Sequence, residues 1–138
     1  MSGLHPPVAR ALDTMLVVDD EVIARMVISE YLRDCGYKVI EAADVAEALH
    51  VLKQVEFDIA VVLCGIGNAG PAGGFALAQW LRSNRPGVEI ILAGNHARAA
   101  NAAGELCEDG PKLSKPYDPQ LVVDRIKRLL AARANLKK

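Results

Sequence analysis

The stretch Leu16–Glu21, LVVDDE, decides the fold. It joins a short β-branched run, typical of a buried strand, to three acidic residues where the strand ends. Outward from this stretch, strand-like and helix-like segments alternate along the chain. The predicted strands span residues 15–18, 37–42, 58–63, 89–93 and 112–115, and the predicted helices span 22–35, 44–54, 75–84, 97–107 and roughly 119–134.

This alternation predicts a doubly wound α/β domain, (βα)5, with a five-stranded parallel sheet and helices on both faces. The third strand is apolar after its first residue, as expected when helices cover both of its faces. In such sheets functional groups collect outside the carboxyl ends of the strands. The residues that follow the strands are therefore the candidates for function: Asp19-Asp20-Glu21, Leu63-Cys64, Ala93-Gly94 and Lys115-Pro116.

Length and composition fit one domain. The chain has 138 residues, of which 51% are apolar, so a core without disorder is expected. We assign residues 14–134 to the domain, 1–13 to an N-terminal arm and 135–138 to a tail. Because 16 basic residues balance 17 acidic ones, a nucleic-acid or polybasic membrane surface is not expected. No apolar run approaches the ~18–20 residues of a membrane span, and no secretory signal is apparent.

The cysteines and histidines predict neither a disulfide nor a metal site. The three cysteines are an odd number, lie far apart and form no CxxC pair, so we expect neither a disulfide nor zinc. A reducing, cytoplasmic compartment fits this pattern. The cysteines are Cys35, Cys64 and Cys107, and the equally scattered histidines are His5, His50 and His96.

Five motifs together resemble the receiver domain of bacterial two-component response regulators, the CheY-like family. The resemblance covers roughly residues 15–134 and implies a flavodoxin-like fold. The motifs are LVVDDE at 16–21, GYKVIEAADVAEAL at 36–49, FDIAVV at 57–62, GGFALAQWLR at 73–82 and LSKPYDP at 113–119.

The resemblance implies a particular chemistry at the strand ends. In that family an acid pair and an aspartate ending the third strand bind Mg²⁺, and this aspartate takes a phosphoryl group from a histidine kinase. Asp19 and Asp20 fit the acid pair and are the Mg²⁺ candidates. Lys115 fits the lysine that contacts the phosphoryl group. Pro116 fits the proline after it, where that family tends to have a cis bond.

The phosphoacceptor does not fit. Counting from Asp58 places it at Leu63, whereas counting back from Gly74-Phe75 places it near Gly65 or Ile66. Neither count finds an acid, because residues 59–88 contain no Asp or Glu. The family's switch hydroxyl falls on Ala93, and its switch aromatic falls on Lys112.

A carboxylate nucleophile is required for aspartyl phosphorylation. We therefore expect a pseudo-receiver that acts through protein contacts rather than an enzyme. Modification of Cys64 or Ser114 is a weaker alternative. With the central aspartate gone, we expect Lys115 to pair directly with Asp19 or Asp20.

Five of the 11 glycines lie between residues 65 and 74, but no GxxxxGK[ST] motif accompanies them. The GxGxxG match at 65–70 is followed by PAGG before any helix, so we expect a mobile loop rather than a dinucleotide site. An alternative function from another class remains open: a small-ligand sensor that binds at the acidic cleft, with this loop as its lid.

The expected partners are a histidine kinase, a phosphotransferase or another signalling protein. No output domain follows in the sequence, so a stand-alone receiver is expected. The family's usual dimer face combines the fourth helix, fifth strand and fifth helix, and the alanine-rich helix over 97–103 would contribute to it. The basic residues of the last helix, Arg133 among them, are typical of a solvated face that suits the helix dipole.

Overall fold

The computed structural model describes residues 14–54, 56–66, 73–109 and 119–136. Strands β1 to β4 are Thr14–Val18, Lys38–Ala42, Ile59–Cys64 and Glu89–Leu92, and helices α1 to α5 are Val22–Asp34, Val45–Leu52, Gly74–Asn84, His96–Asp109 and Pro119–Leu136. These bounds agree with the predicted segments to within a few residues. The predicted fifth strand, residues 112–115, lies outside the described part of the chain.

Local signals account for several of these boundaries. The side chain of Asp44 accepts a hydrogen bond from the Glu47 amide (2.8 Å) at the start of α2. The Glu47 carboxylate accepts a hydrogen bond from the Ala43 amide (2.7 Å), one residue before the cap residue Asp44. The expected capping pair therefore forms, with its second hydrogen bond shifted by one residue. Gly36, with φ of 106°, ends α1 in the left-handed conformation that glycine tolerates.

The described strands form one parallel sheet in the order β2-β1-β3-β4. The parallel α/β architecture predicted from the sequence is therefore confirmed. β1 and β3 lie side by side, with Val17 opposite Leu63 and Val18 opposite Cys64. This pairing brings the carboxyl ends of both strands to the same edge of the sheet, where the acidic residues follow β1.

Helices cover both faces of the sheet, as the apolar third strand predicts. Alternate residues of the central strands face opposite sides, so each strand contributes to two separate cores. One core packs Met15, Val17, Val61 and Leu63 against α1, α4 and α5. The other packs Leu16, Val18, Val62 and Cys64 against α2 and α3.

Helix α5 runs antiparallel to α1. Arg125 pairs with Glu30 in the middle of α1, whereas Arg133, two turns further along α5, pairs with Glu21 just before α1 begins. Helix α5 also contacts α4 closely, because a Cβ built on Gly104 would lie 2.8 Å from Cγ of Pro119. The end of α5 is thereby brought to the acidic end of the sheet.

A disulfide joins Cys35 to Cys107, so the expectation of no disulfide was wrong. The two cysteines are 72 residues apart in sequence. Cys35 caps the end of α1 and Cys107 lies near the end of α4, and these two helix ends meet on the same side of the sheet. The Cα atoms are 5.5 Å apart, within the usual range for a disulfide. Closing a loop of this size stabilises a fold by about 4 kcal/mol on the chain-entropy account. Sequence spacing alone could not predict this disulfide, because the pairing depends on how the helices pack.

Within the described ranges, none of the helices is both long enough and apolar enough to cross a membrane.

Gly104 provides a test of the α4–α5 contact. We predict that Gly104→Leu lowers the free energy of unfolding by about 1–3 kcal/mol, because the new side chain must displace Pro119. Urea denaturation followed by circular dichroism measures this. The matched control is Gly87→Leu, since Gly87 is exposed and a Cβ there meets no atom within 4 Å. Equal stability of the two variants would contradict the described packing.

Candidate functional site

The site forms where β1 and β3 end. The Asp19 amide donates to the Ala42 carbonyl (3.1 Å), and the Gly65 amide donates to the Val18 carbonyl (2.7 Å). These bonds extend the sheet pairing one residue beyond each strand. Asp19 and Gly65 are consequently held next to each other by backbone hydrogen bonds on both sides of β1.

Asp19 is a buried carboxylate. Its side chain is 3% exposed, and its Oδ1 accepts a hydrogen bond from the Glu21 amide (2.9 Å). Burial raises the pKa of the Asp19 carboxyl above its ordinary value, although the Glu21 amide and the charge of His96 act in the opposite direction. Asp20, by contrast, is exposed. The two members of the predicted acid pair therefore occupy very different surroundings.

Gly65 lies directly beside the Asp19 carboxylate. A Cβ built on Gly65 would lie 2.6 Å from Oδ2 of Asp19, which is closer than real side chains approach. Only glycine fits this position without movement of Asp19. Part of the glycine-rich stretch thus has a steric role, whereas residues 67–72 of that stretch lie outside the described ranges.

The two candidates on β3, Leu63 and Cys64, point away from the position beside Asp19. Leu63 is 1% exposed and packs in the core beneath α1, α4 and α5. Cys64 lies in the opposite core, as strand alternation predicts. Burial raises the pKa of the Cys64 thiol, with the Asp19 and Asp20 charges adding to the effect. Ala93, the predicted hydroxyl position, is buried, and its amide donates to the Cys64 carbonyl (2.8 Å).

Glu21, the third acidic residue after β1, has contacts that sequence reasoning missed. It caps α1 by accepting from the Ile23 amide (3.0 Å), and both of its oxygens accept from Arg133, at 2.7 and 3.0 Å. The hydrogen bond from Arg133 holds the pKa of the Glu21 carboxyl below its ordinary value. Arg133 is therefore not simply part of a solvated face. Its partner could not be found in the sequence because it depends on the direction of α5.

Arg25 ties the site to the edge of the sheet. It donates to the backbone oxygen of Asp19 (2.8 Å) and to Glu41 on β2 (3.2 Å). Arg33, two turns later on α1, donates to the same Glu41 (3.3 Å) and to the Val39 carbonyl (3.0 Å). The shared partner Glu41 lies on another element, so this network could not be found from the spacing of the two arginines.

His96 also belongs to the site, although the sequence suggested no role for it. It is the first residue of α4, is half-buried, and its charge lowers the pKa of the carboxyls of Asp19 and Glu21. Its position shortly after β4 was the available signal. The predicted positions Lys112, Ser114, Lys115 and Pro116 lie outside the described residues, so the pairing of Lys115 with the acid pair stays a prediction.

Three features define the geometry of the domain and its site. They are a buried acid at the end of a central parallel strand, a sheet in the order β2-β1-β3-β4, and helices on both faces. A sequence model of the response regulator receiver domain matches residues 15–127. The chain belongs to the response regulator receiver family. Receiver domains are signalling modules of two-component systems, and this receiver carries their scaffold.

Curated relatives of this receiver are response regulators. The aerobic respiration control protein ArcA of Escherichia coli K12 is 30% identical over 122 residues, covering 88% of this chain and 50% of ArcA. The regulatory protein VirG of Rhizobium rhizogenes is 30% identical over 124 residues, covering 88% of this chain and 50% of VirG. The chain thus spans about half the length of these relatives.

Solved structures agree with the fold. The chemotaxis response regulator CheY4 of Vibrio cholerae has a TM-score of 0.53 at 27% identity, covering 85% of this chain and 98% of that one. A response regulator receiver domain protein from Clostridium thermocellum has a TM-score of 0.56 at 22% identity, covering 90% and 98%. The second likeness concerns the fold alone.

The resemblance to receivers implies Mg²⁺ bound between acidic side chains. In the part of the chain that the structure describes, no three His, Cys, Asp or Glu side chains come together as a metal site. One Asp19 oxygen already accepts a hydrogen bond, and the other faces Gly65, which offers no side-chain ligand. The described residues therefore do not fit the expected metal centre, and Asp19 and Asp20 remain Mg²⁺ candidates by prediction only.

The two perturbed carboxyls should respond to pH in opposite directions. Because the folded-state pKa of Asp19 is raised, its charge destabilises the fold as pH rises above the ordinary carboxyl value of about 4. Asp19→Asn should therefore raise the free energy of unfolding near neutral pH by about 1 kcal/mol, while an amide oxygen still accepts from the Glu21 amide. The folded-state pKa of Glu21 is lowered, so its charge stabilises the fold above the ordinary carboxyl value of about 4. This stabilisation is lost as pH falls below that value.

The measurement is urea denaturation from pH 3 to pH 7. Glu21→Gln should lower the free energy of unfolding near neutral pH by about 0.5 kcal/mol, a modest amount because the pair with Arg133 is partly solvated. Asp20→Asn, at an exposed position, is the control and should change stability by less than about 0.5 kcal/mol. A destabilised Asp19→Asn variant would contradict the burial cost assigned to Asp19.

Proposed function

We propose that this receiver signals without accepting a phosphoryl group on β3 and acts through contacts with other proteins. The observation that carries the proposal is the position beside Asp19. There the chain has Gly65, where a side chain would require the Asp19 carboxylate to move, and the surrounding residues 59–88 include no Asp or Glu. A phosphoacceptor needs a carboxylate at this position, because the oxygen that attacks phosphorus must come from the chain.

Gly65, rather than Leu63, is the position that we propose to replace the phosphoacceptor. Leu63 was chosen by counting from Asp58, but its side chain lies in the core. The count back from Gly74-Phe75 ended near Gly65 or Ile66, and Gly65 is the residue beside Asp19. The two counts differ because the chain between β3 and α3 is longer than the family pattern. Both positions lack a nucleophile, so the proposal does not depend on the choice.

Cys64 does not replace the missing carboxylate. Its side chain lies in the core on the α2–α3 side of the sheet, and burial raises its thiol pKa, which disfavours the reactive thiolate. Two of the carboxylates that remain at the site, Asp19 and Glu21, have structural roles. Glu21 caps α1 and holds Arg133, and Asp19 accepts from the Glu21 amide.

Protein contact requires an accessible surface near the site. Val22 and Met26 lie one turn apart on the outer side of α1, and they are 48% and 49% exposed. Large apolar side chains at this level of exposure, next to charged residues, are suited to a protein partner. Receiver domains interact with histidine kinases and phosphotransfer proteins, and we propose a partner of this kind for the start of α1.

A homodimer through the fourth helix, fifth strand and fifth helix remains a second proposal. The alanine side of α4 is not available for it, because Ala99, Ala100 and Ala103 are buried in the core. A dimer contact through α4 would instead use the exposed side that carries Arg98, Asn101 and Glu105.

Treatment with acetyl phosphate and Mg²⁺ tests the proposal directly. We predict that intact-protein mass spectrometry at neutral pH shows no added phosphoryl group, because no carboxylate faces the site from β3. Gly65→Asp and Leu63→Asp are the matched variants. An adduct on wild-type protein at stoichiometric level would contradict the proposal. A phosphoryl group gained by Leu63→Asp and not by Gly65→Asp would assign the lost position to Leu63.

The α1 surface is tested by binding. We predict that Met26→Ser weakens binding to the dimerisation and histidine-phosphotransfer domain of a histidine kinase from the same genome by roughly tenfold, since a truncated apolar anchor costs about 1–2 kcal/mol. Isothermal titration calorimetry measures the affinity. Phe57→Ser is the control, because Phe57 is also partly exposed but precedes β3 at the opposite end of the sheet. Equal affinities for the two variants would exclude the α1 surface.

A further inference from the structure

Two contacts fasten the end of α4 to the turn between α1 and β2. Cys107 forms the disulfide with Cys35, and the neighbouring Leu106 carbonyl accepts a hydrogen bond from the Tyr37 hydroxyl (2.5 Å). The side chains of the two cysteines and of the tyrosine are all buried. Neither contact contributes to the function proposed above, so the junction requires its own explanation.

The sheet itself makes this cysteine pairing specific. Cys35 and Cys107 belong to the core on the α1 side, whereas the free cysteine, Cys64, is buried in the core on the other side of the sheet. Cys64 cannot reach either partner while the sheet is intact. In the folded protein, oxidation therefore has one intramolecular product.

Helix α4 contributes mostly small side chains to the core. Three of its buried core residues are alanines, Ala99, Ala100 and Ala103, which each remove little apolar surface from water. Gly104 adds no side chain at the contact with Pro119. The covalent link therefore adds a restraint on α4 to its packing against α1 and α5.

The opposite end of α4 lies at the acidic site. The helix spans His96–Asp109, about 20 Å at the rise of an α-helix. His96 is close enough to Asp19 and Glu21 for its charge to favour their ionised forms. The disulfide and His96 therefore lie at opposite ends of one helix.

We propose that Cys35 and Cys107 form a redox-controlled lock on α4, closed as the disulfide and open as the two thiols. Closure proceeds by exchange with a low-molecular-weight disulfide such as oxidised glutathione. The thiolate of one cysteine attacks the reagent and releases one glutathione thiolate, and the second cysteine then attacks the mixed disulfide and releases the other. Two electrons and two protons pass to the reagent, and a dithiol reverses the reaction.

Access to the buried sulfur atoms comes from local opening. Cys35 is the cap of α1 and Cys107 lies in the last turn of α4, and helix ends open more readily than helix centres. Exchange consequently requires fraying of two helix ends rather than global unfolding. The lock is independent of phosphorylation, so it stands whether or not the function proposed above is correct.

The test uses the full chain equilibrated with oxidised glutathione or with dithiothreitol, without any partner. After denaturation and alkylation, mass spectrometry should show one reactive cysteine, Cys64, in the oxidised form and all three in the reduced form. Hydrogen exchange should be roughly tenfold or more faster in α4 of the reduced form, and unchanged in α2. Thiols that stay reduced in the oxidising buffer would overturn the proposal, as would equal exchange in α4 in both states.

Two variants separate the lock from general sensitivity to redox reagents. Cys107→Ala should remove the dependence of α4 exchange on the redox buffer. Cys64→Ala should keep that dependence, because the pair remains. If Cys107→Ala does not fold, the wild-type comparison already decides the matter, since it involves no substitution. A redox response that disappears in Cys64→Ala and persists in Cys107→Ala would contradict the assignment to this pair.

Discussion

The close approach of Gly65 to Asp19 is the constraint on which the rest of the site depends. Parallel pairing of β1 with β3 brings the two residues together, and backbone hydrogen bonds from Gly65 to Val18 and from Asp19 to Ala42 hold them there. With Oδ2 of Asp19 at 2.6 Å from a hypothetical Cβ, a side chain at this position would require the Asp19 carboxylate to move. The receiver scaffold is thus present, and on the proposed function it lacks a carboxylate beside Asp19.

Polar groups around this point offset part of the cost of burying the Asp19 carboxylate. Desolvation disfavours the charge on Asp19, and the Glu21 amide and His96 favour it. Arg25 contacts the Asp19 backbone and Glu41, and Arg133 from α5 neutralises Glu21. The acidic end of the sheet is therefore connected to β2, α4 and α5 by polar contacts.

Much of this architecture could be predicted from the sequence because it depends on local patterns. The LVVDDE stretch, the apolar third strand and Gly36 each determine structure within a few residues of themselves. The predictions that failed or were missed depend on packing between distant segments. The Cys35–Cys107 disulfide and the Glu21–Arg133 pair both require knowing which helix ends meet, and no spacing rule gives that information.

The same distinction between local patterns and packing applies to the candidate site. Asp19 could be identified from its place after β1, but its burial and the exposure of Asp20 could not. Counting along the chain gave two positions for the phosphoacceptor, and only the pairing of β1 with β3 identifies the residue beside Asp19. Gly65 was visible in the sequence as one glycine of a cluster, and its steric role emerges only from the contact.

The most direct measurement of the central claim is an amide NMR titration of the labelled protein with Mg²⁺ and beryllium fluoride, an analogue of the phosphoryl group. If β3 provides no acceptor beside Asp19, the Gly65 and Ala93 amide resonances will stay in place when beryllium fluoride is added to protein that already contains Mg²⁺. Saturable shifts of both resonances at stoichiometric analogue would show that the site still binds a phosphoryl-like group, and would contradict the loss of the acceptor beside Asp19.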